Sequence, residues 1–386
     1  MIKIAENKRC TALADISAYG LETANKARAF HSSIPGYAPT PLRELSALAK
    51  SLSVAGIYVK DESRRFDLNA FKVLGGSFAI GSHIASLMGE DISAMPYARM
   101  TGIEVCEKLG EQTFVTATDG NHGRGVAWTA NKLGQKSVVY MPEGTADERL
   151  ENIRKLGAKA DITDPTYDEA VLRAARDAQS NGWIMVQDTS WEGYERIPGL
   201  IMQGYTTMAL EAVEQLEGAV PSHVFLQAGV GSMAAAVAAF LANYYGENCP
   251  KIIVVEPHGA DCHYLTVEAD DDSIHSITEA MHSMMAGLCC GVPCPIAWDI
   301  LRDYAEGFAS IPDEASAKAM RRLAHPLGDD PATVSGESGA AGIGCAMAVL
   351  EDEELRNKLG IDANSVILCF STEGDTDKEN YKKIVK

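Results

Sequence analysis

No Cys-x-x-Cys pair and no zinc-ligand spacing occurs among the nine cysteines, which are scattered along the 386 residues. That pattern predicts a reduced, cytoplasmic protein whose cysteines are small buried side chains, with no metal. Basic charge is also in short supply: 34 Lys and Arg stand against 53 Asp and Glu, a formal net charge of −19. A surface this acidic argues against nucleic acid or an anionic membrane as partner. The first residues, Met1-Ile2-Lys3-Ile4-Ala5-Glu6-Asn7-Lys8, contain no apolar h-region, so no signal peptide is expected. There are no internal repeats and no low-complexity tract. One stretch, 224–242, is almost wholly apolar, but Gln227, Gly229, Gly231 and Ser232 interrupt it. It reads as a buried strand followed by an Ala-rich helix, not as a membrane span.

What is present suits a large α/β protein. With 46% hydrophobic residues the chain can bury a sizeable core, and its length favours two domains. Strands alternate with helices of ten or more residues, which predicts parallel sheets with crossover helices. One set of elements occupies 113–187, with strands at 113–117, 137–141, 159–162 and 183–187. A second begins with a helix at 201–216 and carries strands at 223–227, 251–256 and 365–370. The turn Ala38-Pro39-Thr40-Pro41-Leu42 predicts a helix over 42–52, followed by a strand at 57–60. Thr145-Ala146-Asp147-Glu148 and Thr166-Tyr167-Asp168-Glu169 read as capping boxes that open helices.

Three segments carry chemistry. In Asn69-Ala70-Phe71-Lys72-Val73-Leu74-Gly75-Gly76, a lysine stands at a loop-to-helix junction among apolar neighbours. Loss of hydration lowers the pKa of such an amine and frees it to form a Schiff base. Ala228-Gly229-Val230-Gly231-Ser232 joins a buried strand to the Ala-rich helix. Its glycines allow close approach, and the helix N-terminus offers N–H groups and a positive dipole end, a phosphate cradle. No Gly-Lys-Ser/Thr follows and the third Gly of a dinucleotide fingerprint is missing; a tight turn without a ligand is the alternative. Thr118-Asp119-Gly120-Asn121-His122-Gly123 is a second strand-to-helix turn able to hold a carboxylate, with Asn121 as donor to a phenolic oxygen. A helix cap by Asp119 is the alternative there. Schiff-base lysine, phosphate cradle and carboxylate turn together point to pyridoxal 5′-phosphate (PLP).

The same residues carry a family resemblance. Pro39-Thr40-Pro41-Leu42, Lys60-Asp61-Glu62, Ala70-Phe71-Lys72, Asp119-Gly120-Asn121-His122-Gly123, the glycine loop and Glu337-Ser338-Gly339-Ala340 occur in the order of landmarks of the tryptophan-synthase-β-like, fold-type II PLP enzymes. The resemblance covers about residues 38 to 375. Within that group, Thr118 to Trp128, Gln187-Asp188-Thr189-Ser190-Trp191 and Ser335-Gly336-Glu337-Ser338-Gly339 resemble the diaminopropionate ammonia-lyases. The resemblance implies two α/β domains, each with a mainly parallel twisted sheet, and the cofactor in the cleft between them. The large domain would be 1–85 with 191–386, and 86–190 the small mobile one.

It further implies that Lys72 carries the cofactor, that Asn121 meets its phenolic oxygen, and that Ala228, Gly229, Val230, Gly231 and Ser232 hold its phosphate. Glu337 would lie at the cofactor, and Ser371 or Thr372 would face the pyridine nitrogen and leave it largely unprotonated. Many dehydratases of the group have Ser where this chain has Ala70, and Ser where it has Asp119. A carboxylate there suits a substrate with a second ammonium. The implied reaction is α,β-elimination of ammonia from L- and D-2,3-diaminopropionate, giving pyruvate and ammonia. Lys72, Asp119 and Asp188 are the expected catalytic groups; Asp119, Gly120, Asn121, His122 and Asp188 would line the substrate. Two carboxylates around one ammonium should also raise the pKa of one of them. A serine/threonine dehydratase, a β-replacement enzyme of the cysteine-synthase kind and a catalytically silent PLP-binding regulator are the alternatives. A homodimer is the group's default. Cys262 is expected to approach Cys289 or Cys290 closely enough to pair under oxidising conditions.

Overall fold

The computed structural model of the protein describes residues 1–8, 13–118, 120–271 and 273–386, apart from the side chain of Asp168. In chain order its strands are β1 (Lys3–Glu6), β2 (Leu42–Glu44), β3 (Gly56–Asp61), β4 (Thr113–Ala117), β5 (Lys136–Pro142), β6 (Lys159–Asp164), β7 (Ile184–Met185), β8 (His223–Gln227), β9 (Lys251–Pro257), β10 (Gly307–Ile311) and β11 (Val366–Ser371). They form two sheets, and the chain divides into two units.

The first unit takes Met1–Leu21, Pro39–Arg64 and Met208–Lys386 and contains a sheet of order β1-β10-β9-β8-β11-β3-β2. The five inner strands run parallel, and the edge strands β1 and β2 are antiparallel to their neighbours. β8 is buried throughout and β9 nearly so, which is why their sequences read as unbroken apolar runs. Ile57, Val59, Phe225, Ile253, Val255 and Cys369 join one core. Each aliphatic side chain buried this completely contributes about 1.5–3 kcal/mol. Because β8, β9 and β11 are parallel, their C-terminal residues share one edge of the sheet, the edge where ligands bind in open α/β folds.

The helix expected over 42–52 starts later. Leu42, Arg43 and Glu44 pair antiparallel with Lys60, Val59 and Tyr58, so edge-strand pairing overrides the local pattern, and the helix is confined to Ser46–Ser51. Its first amides are bound by a distant carboxylate: Ala47 N and Leu48 N donate to Asp330 at 2.8 and 2.9 Å.

The second unit takes Glu22–Ala38 and Arg65–Thr207 and contains the all-parallel sheet β6-β5-β4-β7. Successive side chains along a strand face opposite ways, and here they feed two cores. Val115, Ala117, Val138 and Tyr140 pack on Ala170, Ala174 and Ala178, whereas Val139 and Met141 pack with Ala127, Leu150 and Ile153. Helix Tyr167–Asn181 opens on the Thr166–Glu169 capping box. The other box does not form. Helix Asp147–Arg154 begins one residue too late for it, behind Ala146, which has no side-chain acceptor.

The apolar run 224–242 is divided between β8 and helix Ser232–Tyr245. Among the described residues no helix is long and apolar enough to cross a membrane.

Candidate active site

In the second unit the chemistry gathers at Lys72, the N-cap of helix Val73–Met88. Gly125, in helix Asn121–Lys132, sets its backbone. A Cβ on Gly125 would lie 2.9 Å from Val73 Cα and 3.2 Å from the carbonyl carbon of Lys72. The two backbones meet this closely because no side chain separates them.

Lys72 Nζ donates to Asp188 in a charged pair. His122 Nδ1 lies 3.8 Å from the same carboxylate, and His122 Nε2 donates to Val186 O at 2.8 Å. Burial opposes ionisation of Asp188. The charge of Lys72, then that of His122, and the hydrogen bond from Lys72 outweigh it and hold the carboxyl at about 2. One expectation therefore changes: Lys72 is not an amine surrounded by apolar groups, because its head meets a carboxylate. Of the two carboxyls expected to share a site, Asp188 is not the raised one. Tyr205 was not singled out by sequence. Its ring lies 4.8 Å from that of Phe71, tilted by 51°, and burial pushes its phenol up.

The turn into helix Asn121–Lys132 is closed by Thr118, whose hydroxyl accepts from Gly120 N at 3.0 Å and Gly123 N at 3.3 Å. Asn121 and His122 begin the helix. Asp119 lies outside the described residues.

In the first unit, β8 turns through Ala228, Gly229, Val230 and Gly231 into helix Ser232–Tyr245. Gly231 is the N-cap with φ +95°, the left-handed region that favours glycine. A Cβ there would come within 2.7 Å of His263 Nε2. His263 is fully buried, with Nδ1 2.7 Å from Glu256 Oε1 and no hydrogen-bond partner at Nε2 among the described residues. Glu256 also accepts from His263 N at 3.1 Å and Tyr264 N at 2.8 Å. Glu256, Cys262 and His263 bring ligand-type atoms within 4.8 Å of one another, but the carboxylate is already engaged by these N–H groups. Neither Glu256 nor His263 carries a spacing signal in the sequence; only the fold sets them beside the glycine turn. Cys262 Sγ is 3.5 Å from Cys290 O, and neither residue is in a disulfide. Burial, then Glu256, pushes the Cys262 thiol up.

β11 ends beside β8. Ser371 Oγ donates to Ser335 Oγ at 2.7 Å, and Thr372 Oγ1 accepts from Gln227 Nε2 at 2.9 Å. Glu337 is buried and accepts from Asn380 Nδ2 at 2.5 Å, and burial pushes its carboxyl up. Its neighbours pack on the turn after β11, with Gly336 N donating to Glu373 O at 2.9 Å and Ser338 N to Glu373 Oε1 at 3.2 Å.

The landmarks Thr40, Lys60 and Glu62 serve the fold. Lys60 Nζ, fully buried, reaches Glu211 Oε2 at 2.8 Å, Thr40 O at 2.6 Å and Gln215 Oε1 at 2.8 Å, and Thr40 Oγ1 donates to Glu62 at 2.6 Å. Removing one partner of a buried pair of this kind costs about 3–5 kcal/mol.

The first unit thus offers a helix N-terminus behind a left-handed glycine, a buried imidazole nitrogen beside it, and a buried threonine hydroxyl at the neighbouring strand end. That donor set suits a phosphorylated aromatic ring. The chain matches the family model described as pyridoxal-phosphate dependent enzyme over residues 34–373. It is 49% identical over 364 residues to the diaminopropionate ammonia-lyase of Salmonella typhimurium, covering 92% of this chain and 90% of the relative. To that of Escherichia coli it is 47% identical over 367 residues, covering 94% and 91%. The crystal structure of the Escherichia coli lyase in complex with an aminoacrylate-PLP azomethine reaction intermediate is similar at TM-score 0.92 and 45% identity, covering 100% of this chain and 97% of that one.

Proposed function

The chain belongs to the pyridoxal-phosphate dependent enzymes, and on that premise we propose that it eliminates ammonia from 2,3-diaminopropionate, giving pyruvate and ammonia. It is a carbon–nitrogen lyase acting on a small amino acid with pyridoxal 5′-phosphate. The two lyases that share nearly half of its residues over nine-tenths of its length support this reaction.

One observation carries the choice of substrate: Asp188 is a buried carboxylate held ionised by Lys72. A buried carboxylate that is kept ionised favours a substrate that brings a cation to it. The second ammonium of diaminopropionate supplies one; the hydroxyl of serine or threonine does not. A cationic substrate group fits this carboxylate better than a neutral hydroxyl, which favours the lyase reading over the dehydratase one.

When bound, the cofactor acts as an electron sink for the Cα carbanion. The chain's own residues do the rest. Lys72 is the point of covalent attachment, and its Nζ, once released, takes the Cα proton of the L-substrate. Asp119 takes that proton from the D-substrate. Asp188, with His122 3.8 Å away, holds the β-ammonium until the carbon–nitrogen electrons leave with ammonia. The amides of Gly229, Val230, Gly231 and Ser232 would hold the phosphate and Asn121 the phenolic oxygen, and water hydrolyses the released enamine. The enzyme works as a cytoplasmic homodimer, a reading supported by the group's default assembly and by the scatter of its cysteines along the sequence.

The test is turnover of L- and D-diaminopropionate, L-serine and L-threonine, measured as pyruvate or 2-oxobutyrate. Diaminopropionate is expected to be consumed and serine spared; equal rates with serine would return the chain to the dehydratases. Gly231→Asp is expected to weaken PLP binding at least about 10-fold, since a non-glycine left-handed residue alone costs about 1–2 kcal/mol and the carboxylate repels the phosphate. Fluorescence titration of the apoenzyme reads this directly. Unchanged affinity would move the phosphate elsewhere.

A further inference from the structure

We propose that Gln227 is a positioning residue whose amide turns the Thr372 hydroxyl proton toward the cofactor's ring nitrogen, so that this nitrogen stays an unprotonated acceptor. The inference rests on the PLP site proposed above and concerns side chains of the first unit only.

Gln227 is the last residue of β8 and is buried. Its Nε2 lies 2.8 Å from Phe370 O, 2.9 Å from Thr372 Oγ1 and 3.2 Å from Gly339 O. Two of these three neighbours are backbone carbonyls, which only accept, so the end facing them must be the NH2 group. The other end cannot swing in their place. Gln227 Oε1 faces helix Ala341–Glu351, where a Cβ on Gly342 would sit 2.9 Å from it, and it has no hydrogen-bond partner among the described residues. A buried amide oxygen left without a donor is a cost. What the fold gains in return is a fixed amide orientation.

That orientation determines the direction of the next hydrogen bond. With one N–H directed at its oxygen, Thr372 accepts from Gln227, and its single proton must be donated elsewhere. Thr372 is 4% exposed and forms no other hydrogen bond among the described residues. Ser371, the other candidate, spends its proton on Ser335 at 2.7 Å. Thr372 therefore holds a buried hydroxyl proton with no acceptor among the described residues. A neutral hydroxyl keeps its proton when it donates to a pyridine nitrogen, and so lends that nitrogen no positive charge. The ring is then the milder electron sink that suits elimination.

The experiment is nitrogen NMR of holoenzyme reconstituted with PLP carrying ¹⁵N in the ring, comparing wild type with Thr372→Ser, Thr372→Val and Gln227→Met. Wild type and Thr372→Ser are expected to give the signal of a neutral, hydrogen-bonded ring nitrogen from mildly acidic to mildly alkaline pH. Thr372→Val removes the donor. Gln227→Met frees the carbonyls of Phe370 and Gly339, to which the Thr372 hydroxyl then turns. Both should show the same shift toward a ring nitrogen without a hydrogen bond, and PLP should dissociate on the order of 10-fold more readily. If Gln227→Met does not fold, Gln227→Glu serves: its carboxylate draws the Thr372 proton away from the ring and predicts the same loss. A protonated ring nitrogen in wild type overturns the proposal. So does a wild-type signal in the Gln227 variants when Thr372→Val has lost it. Failure of wild type to take up PLP at all would instead overturn the PLP reading beneath it.

Discussion

Lys72→Ala is expected to abolish turnover of every amino-acid substrate and the visible absorbance of covalently held PLP. The protein should still fold, because the lysine is the N-cap of its helix and the helix itself is buried through Val73, Leu74, Phe78 and Ile80. It should fold less stably. The Asp188 carboxyl sits at about 2 against an ordinary 3.8, and at about 1.4 kcal/mol per pKa unit that depression is worth roughly 2 kcal/mol. A depressed acid contributes this stability above its unfolded pKa and loses it as the pH falls through the folded one. The wild-type advantage over Lys72→Ala should therefore be full at neutral pH and vanish near pH 2. Denaturant melts across that range check it. Normal absorbance and turnover in the variant would place the attachment on another lysine.

The second large effect is one of stereochemistry. Lys72 is proposed to take the Cα proton from one side of the substrate, and Asp119 from the other. Asp119→Asn keeps the shape and removes the base. It should cost D-diaminopropionate turnover about 10²-fold or more, the usual scale of general-base catalysis, and L turnover less. A pure capping role would make the variant nearly silent, since Asn caps as well as Asp. Equal losses for both enantiomers would mean a shared binding role in place of two bases.

The alternation of strands and helices, the glycine turn and the lysine at the start of its helix could all be read in the sequence, because each leaves a local pattern. Pairing across the chain leaves none. The stretch 42–44 looked helical and is an edge strand because β3 lies beside it. The second capping box formed, but the first failed by one residue. At the site, the residue types were readable and their charges were not. Apolar neighbours in sequence suggested a desolvated Lys72, whereas Asp188, 116 residues away, decides its surroundings. Glu256, His263, Tyr205 and Gln227 were invisible for the same reason: what each does depends on a partner that only the fold supplies.

Gly125 has a practical consequence for anyone altering this enzyme. A mutational scan scored by activity would mark position 125 as intolerant, and the usual reading of such a mark is a residue that takes part in the reaction. Here the mark would mean something else. The 2.9 Å gap to Val73 Cα leaves no room for even one methyl group, so an alanine must displace the backbone at Lys72, the proposed attachment point. Libraries aimed at new substrates should leave this position alone and vary the polar groups around Asp188, the proposed partner of the substrate's second ammonium, which leaves the backbone at Lys72 in place.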